Sequence, residues 1–209
     1  MGLPPEFMPQ DSNDEILISN AHPPGWQNPE PAPSYNLVVI GAGTAGLVAA
    51  AGAAGLGARV ALVERYLLGG DCLNVGCVPS KCMIRSSRIK EEISLSDGLG
   101  WKISEPVQPD FPRVMERLRR VRARISPHDS VGRFRDLGVD VFLGDGFFSG
   151  PQSLNVDGKE LRFKKAVIAT GSRPIVPRIA GLSESGFLTN ETVFSLTERP
   201  RRLAVFGGG

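Results

Sequence analysis

Cysteine is scarce in this chain: three in 209 residues, at positions 72, 77 and 82. That is too few for the disulfide frameworks that hold small secreted domains together. Histidine is scarcer, with only His22 and His128, so a metal site needing four soft ligands has little to draw on, and none is expected. Charge of one sign is also missing in excess. The formal net charge is +2, too small to argue for nucleic acid or a membrane surface as partner. No apolar run reaches membrane-spanning length, and the N-terminus lacks a basic-then-apolar secretory pattern. These absences lead to the expectation of a soluble, cytoplasmic protein. Hydrophobic content of 41% over this length supports one to one and a half domains.

What is present is concentrated. The run Gly69-Gly70-Asp71-Cys72-Leu73-Asn74-Val75-Gly76-Cys77-Val78-Pro79-Ser80-Lys81 sets two cysteines four residues apart, glycines before them and Pro-Ser-Lys after. The spacing suits a disulfide across one distorted turn. Gly70 and Gly76 remove bulk on both sides, which would let a flat ligand lie against the sulfurs. Pro79 and Ser80 suit a helix start, with Ser80 as a cap. Cys77 would then sit near a helix N-terminus, where partial positive charge favours a thiolate. A zinc site or a structural staple is the alternative for such a pair. Zinc would need Cys82, His22 or His128 as further ligands, and three cysteines make no scaffold, so the redox-active reading is taken forward.

Ahead of this run stands a second pattern. Tyr35 to Ile40 reads as a buried strand and leads into Gly41-Ala42-Gly43-Thr44-Ala45-Gly46, then an Ala-rich helix to about Gly55. A second strand, Arg59 to Val63, ends in Glu64. A lone G-x-G-x-x-G says little, but here the strand, the helix, the second strand and the acidic residue are all in place. The glycines permit a tight turn and close phosphate approach, the helix N-terminus faces a pyrophosphate, and Glu64 takes ribose hydroxyls.

The remaining chain divides by period. Residues 1–34 are rich in proline and read as an irregular, flexible leader. After Lys81 a helix continues to about Ile93, with Cys82 an ordinary helix residue, and 94–109 is a loop. Phe111 to Ile125 is a helix capped by Asp110, with Phe111, Val114, Leu118, Val121 and Ile125 as its apolar stripe and arginines 113, 117, 120 and 124 opposite. Ser126 could cap a further helix to about Leu137. From Gly138 the period becomes that of strands: Val139–Leu143, Gly146–Phe148, Ser153–Val156 and Glu160–Phe163, with turns at Gly150-Pro151 and Asp157-Gly158. Lys165 to Ala169 returns as a buried strand ending in Thr170-Gly171. Residues 177–200 are a connector, and Arg201 to Gly209 opens a further strand followed by glycines.

The cysteine run resembles the active-site motif of the flavin-dependent pyridine nucleotide-disulfide oxidoreductases, the glutathione reductase, dihydrolipoyl dehydrogenase and mercuric reductase family. The stretch Cys82-Met83-Ile84-Arg85-Ser86-Ser87-Arg88 leans toward the mercuric reductase branch. The resemblance runs from about Tyr35 to Gly209. It implies an α/β fold, a doubly wound Rossmann-type FAD-binding domain with an inserted antiparallel β-meander. It also implies FAD at the first dinucleotide site, beside a redox-active Cys72–Cys77 disulfide. Gly41, Gly43, Thr44, Ala45, Gly46 and Glu64 would hold the cofactor together with Gly70, Asp71 and the backbone of Ala169-Thr170-Gly171. The backbone around Gly146 would reach the adenine side.

By the same resemblance Cys77 contacts the flavin, Cys72 exchanges with substrate, and the Lys81 ammonium lies near the flavin ring. The division expected is a leader over 1–34, the FAD-binding domain over 35–200, and the start of an NAD(P)-binding domain, cut short, over 201–209. The metal-trafficking domain of some mercuric reductases is expected to be absent, since no cysteine precedes Cys72. The parent enzyme would pass electrons from NAD(P)H through FAD to the disulfide and on to an acceptor, as a homodimer. Hg(II) is the first acceptor considered, with dihydrolipoyl dehydrogenase or another disulfide reductase as the alternative. A flavin-binding fragment without turnover is the reading from another class.

Overall fold

Strand β1 (Tyr35–Ile40) is rich in β-branched residues, and Tyr35, Val38 and Val39 are wholly buried. In the computed structural model, which describes residues 10–207, it lies at the middle of a six-stranded sheet of order β3-β2-β1-β6-β5-β4. Its neighbours are β2 (Val60–Glu64) and the long β6 (Lys159–Ile168), both parallel to it. Strand β3 (Val139–Leu143) pairs in parallel with β2 on the other side. Strands β4 (Gly146–Gly150) and β5 (Ser153–Val156) complete an antiparallel meander against β6. The expected Rossmann-type sheet with an inserted meander is therefore present.

Two expected strands prove to be one. The segments expected at Glu160–Phe163 and Lys165–Ala169 fall in a single strand, Lys159–Ile168, whose first half pairs with β5 and whose second half pairs with β1. Its second half is not buried as expected: Ile168 is 67% exposed. Beyond the register with β1, no described strand pairs with this half on its other edge. The Asp157-Gly158 turn has φ of 49° and 83°, the left-handed pair that a tight hairpin requires.

Helix α2 (Thr44–Gly55) packs on β1 and β2, and its Leu47 and Ala50 join a core with Val39, Val60 and Leu62. After β2 come the short α3 (Gly70–Asn74) and the long α4 (Cys77–Leu95), then α5 (Phe111–Ile125) and α6 (Val131–Asp136). The bounds of α5 are as expected, and the Asp110 carboxylate accepts from the Arg113 N–H as its cap. Its buried face is not the expected stripe. Met115, Leu118, Arg119, Arg122 and Ala123 are buried, while Phe111, Val114, Val121 and Ile125 are half-buried at its margins. Ser126 closes α5 rather than opening the next helix; Ser130 caps α6 through the Arg133 N–H. Ser130 has the extended dihedrals of a cap, whereas Ser126 keeps helical ones and begins a 3-10 turn that ends at Asp129.

The reason for the rotated face is the leader, which departs most from expectation. Residues 12–21 form helix α1, capped by Asp11, with Leu17, Ile18 and Ala21 buried in the main core. Asp11 pairs with Arg119 at 2.6 Å and Asp14 with Arg122 at 2.8 Å. The Asn28 side chain both donates to and accepts from the backbone of Leu143 on β3. The prolines around this helix suggested an irregular arm; apolar residues on one side and two carboxylates facing buried arginines make it a docked element. The proline run at residues 4–5 lies outside the described residues.

At the other end, residues 177–200 include α7 (Asn190–Val193), which a Thr189 capping box starts. Phe194 is buried with Cys82, Met115 and Leu118. The strand expected from Arg201 does not form among the described residues. Leu203, Val205 and Phe206 are exposed and join no ladder. A strand exists only through its hydrogen-bonding neighbours, and none of the described strands lies beside this segment. Gly208 and Gly209 lie outside the described residues.

Candidate active site

The carboxyl end of β1 turns sharply into α2. Gly41 has φ of 100°, and a Cβ there would lie 2.3 Å from the carbonyl oxygen of Ala169. Only glycine lets these two strand ends pass so closely. Gly46 does the same work one helical turn on, since a Cβ would lie 1.8 Å from the Gly41 carbonyl oxygen. Gly43 is the N-cap of α2 and offers no capping side chain, so the first-turn N–H groups remain available to an anion.

The cysteine run meets this turn directly. Gly70, with φ of 53°, would bring a Cβ to 2.5 Å from Cα of Gly43. Cys72 is on α3, half-buried, and both it and Cys77 are free thiols. Cys77 is the first residue of α4, the helix start expected for it, and is exposed. Ser80 is not the cap of that helix: its hydroxyl donates back to the Cys77 carbonyl, and Gly76 takes the N-cap position.

Cys77 perturbs its neighbour Cys72: hydrogen bonding toward Cys77, then burial, then the charge of Cys77 push the Cys72 thiol above its ordinary range, while hydrogen bonding toward Thr44 opposes them. Both causes that involve Cys77 favour a protonated Cys72.

These elements enclose a cavity of about 350 Å³ lined by Gly41, Gly43, Thr44, Ala45, Glu64, Gly70, Asp71, Cys72, Ala169, Thr170 and Gly171. A neighbouring cavity of about 370 Å³ shares Gly41, Glu64, Thr170 and Gly171 and extends to Gly144, Asp145 and Gly146. Gly46 lies buried beneath the turn. Cys77 and Lys81 are outside the lining, both exposed, and their four-residue spacing at the start of α4 sets them one turn apart on one side of the helix.

Glu64 stands where the cavities meet. Its carboxylate accepts from the Ala42 N–H at 2.8 Å and from the Tyr66 N–H at 2.8 Å. It therefore braces the phosphate turn as well as facing the cavities. Sequence reasoning missed Asn74, Arg65, Tyr66, Ser172 and Arg173 in the lining. Arg173 pairs with Glu191 at 3.2 Å and lies over the Tyr66 ring, contacts that join residues far apart in sequence. Among the described residues no group of three or more His, Cys, Asp or Glu could hold a metal, and no helix is long and apolar enough to cross a membrane.

A mostly parallel sheet, a glycine turn at a strand's carboxyl end and a helix N-terminus define a Rossmann-type dinucleotide-binding protein, here with a dithiol beside the glycine turn. Residues 35–209 match the pyridine nucleotide-disulphide oxidoreductase family, and the chain belongs to it. Mercuric reductase of Staphylococcus aureus is 35% identical over 175 residues, covering 84% of this chain and 32% of that protein. Dihydrolipoyl dehydrogenase of Bacillus subtilis (strain 168) is 40% identical over 177 residues, covering 82% and 37%. Among solved structures, the HOCl-induced flavoprotein disulfide reductase RclA from Escherichia coli matches with a TM-score of 0.65 at 29% identity, covering 78% of this chain and 34% of that one. The chain thus spans about a third of the length of these relatives. The family is one of oxidoreductases.

Proposed function

We propose that this chain is the FAD-binding part of an NAD(P)H-dependent oxidoreductase in which the Cys72–Cys77 pair carries electrons to an acceptor. The observation that carries this reading is Cys72, which lines the glycine-walled cavity while Cys77, five positions on, starts a long helix.

The residues present fit FAD. The absence of side chains at Gly41, Gly43 and Gly70 leaves backbone facing the cavity, and the uncapped start of α2 suits a pyrophosphate. Glu64, with lone pairs left on both oxygens, would accept from ribose hydroxyls. The second cavity, at Gly146, would take the adenine side, and the backbone of Ala169 to Gly171 would border the rest. Bound FAD supplies a two-electron relay between a hydride donor and a disulfide. The protein's part is to hold the dithiol against it, to keep one thiol protonated, and to present Lys81 as a cation one helical turn after Cys77. NAD(P)H would serve as donor in the full-length parent, a homodimer. Relatives named mercuric reductase make Hg(II) the first acceptor to assay, and those named dihydrolipoyl dehydrogenase make lipoamide the second.

Titration with FAD tests the reading. One FAD is expected per chain, with Cys72 and Cys77 becoming alkylatable only after reduction. A chain that takes up no flavin would defeat it. The short span relative to the relatives favours a second reading, flavin binding without turnover by these residues alone. Stoichiometric NADPH or NADH separates the two: bleaching of bound flavin supports turnover, and an unchanged spectrum supports a binding fragment.

A further inference from the structure

Helix α1 precedes the residues matched by the family, yet it is stitched to the peptide between the two cysteines. Arg122 of α5 donates from one terminal nitrogen to Asp14 of α1 at 2.8 Å and from the other to the Asn74 carbonyl at 2.9 Å. Asn74 stands between Cys72 and Cys77 and ends α3, so its carbonyl is one that the helix leaves without an internal partner. Its side-chain amide donates to the carbonyls of Gly70 and Leu68, closing the turn on itself. At the far end of α1, the Ala21 carbonyl accepts from the Leu68 N–H. Asp14 and Arg122 are 6% and 7% exposed, and a buried charge of either sign persists only when paired and hydrogen-bonded. The pair therefore fixes the guanidinium, and the guanidinium fixes the Asn74 carbonyl.

We propose that Asp14 and Arg122 are positioning residues for the Cys72–Cys77 dithiol, setting how readily its disulfide closes. The proposal rests on the reading of this pair as a redox couple. A disulfide forms only within a narrow range of Cβ separation, so the effective concentration of one thiol for the other depends on how firmly the intervening turn is held. The Asp11–Arg119 pair secures the same helix but does not touch that turn, which makes it the internal control. Asparagine at position 11 would still cap α1, so only the charge pair is lost.

The test is equilibration of the full chain with graded ratios of reduced and oxidised dithiothreitol. Two electrons and two protons pass from dithiothreitol to the Cys72–Cys77 disulfide; its S–S bond breaks to give two thiols as dithiothreitol closes to its cyclic disulfide. The fraction oxidised is read by alkylation and peptide mass. Arg122→Met should lower the equilibrium constant for disulfide formation about tenfold, ~30 mV for a two-electron couple. Asp14→Asn should shift it the same way, Arg122→Lys by less, and Asp11→Asn by under about twofold, on the same scale. Arg122→Lys keeps the buried charge pair, so its shift decides if the other two variants do not fold. Wild-type values in the folded Arg122 and Asp14 variants, or an equal shift in Asp11→Asn, would overturn the proposal. A wild-type chain that never forms the disulfide would defeat the redox reading as well.

Discussion

Gly70 of the cysteine run rests on Gly43 of the phosphate turn: a Cβ on Gly70 would lie 2.5 Å from Cα of Gly43, whereas a Cβ on Gly43 would lie 3.7 Å from Cα of Gly70. The contact is tight in one direction and roomy in the other. Two glycines in contact therefore predict different failures.

Gly43→Val has space for its first carbon, and Gly43 has φ of −77°, which any residue adopts. The variant should fold with a melting temperature near the parent's and lose FAD, because the branched side chain enters the space a pyrophosphate needs. Gly70→Ala, with φ of 53° and a backbone atom in the way, should instead be destabilised by about 1–3 kcal/mol. Thermal melts alongside flavin retention on gel filtration check both. Retained flavin in Gly43→Val at parent stoichiometry would count against this placement of the site.

Glu64 predicts a mixed effect. Glu64→Ala leaves the Ala42 and Tyr66 N–H groups without their acceptor, and each costs about 1–3 kcal/mol if it stays buried and unpaired. Urea midpoints should fall accordingly. FAD affinity should weaken more gently than in Gly43→Val, since the phosphate turn keeps its backbone. Equal affinity in mutant and parent would remove Glu64 from ribose recognition.

The two cysteines should differ spectroscopically. With FAD bound, Cys72→Ser is expected to show a long-wavelength charge-transfer shoulder from a Cys77 thiolate, and Cys77→Ser to show none. The shoulder in Cys77→Ser alone would reverse the roles, in keeping with the position of Cys72 in the cavity lining.

A pH dependence follows from the thiol pair. Cys72 is raised first by its hydrogen bond to Cys77, then by burial and by the Cys77 charge. Removing Cys77 removes the first and third causes, so Cys72 should ionise at lower pH in Cys77→Ser than in the native dithiol. Iodoacetamide rates at Cys72 against pH report it; an unchanged or higher transition would contradict the part of Cys77 in raising Cys72.

Docking of α1 should be costly to break. Asp14→Ala leaves Arg122 buried without its counter-charge, at a cost of about 3–5 kcal/mol. Asp11 behaves differently with pH. Burial raises it, but the Arg119 hydrogen bond, the Asp14 N–H and the Arg119 charge together hold it below 3.8. Its folded value being depressed, its contribution is present above pH 3.8 and is lost as pH falls through the lower folded value. Asp11→Asn should remove that acid limb from the unfolding curve.

The sequence by itself determined the local elements and the glycine turns. Tyr35–Ile40, Val139–Leu143 and Phe111–Ile125 were legible because period and capping are local properties of a few neighbouring residues. Gly41, Gly43 and Gly46 were legible because their spacing falls between a strand and a helix, with a second strand and Glu64 to follow. Tertiary structure decided what depends on partners distant in the chain. Whether Asp14 is a solvated residue of a loose arm or half of a buried pair depends on Arg122, 108 positions away. Whether Leu203–Phe206 is a strand depends on a neighbour with which to share hydrogen bonds. The contact of Gly70 with Gly43 likewise exists only once β1 and the cysteine turn are packed together, because a Cβ clash is a relation between two backbones and has no signature in either one alone.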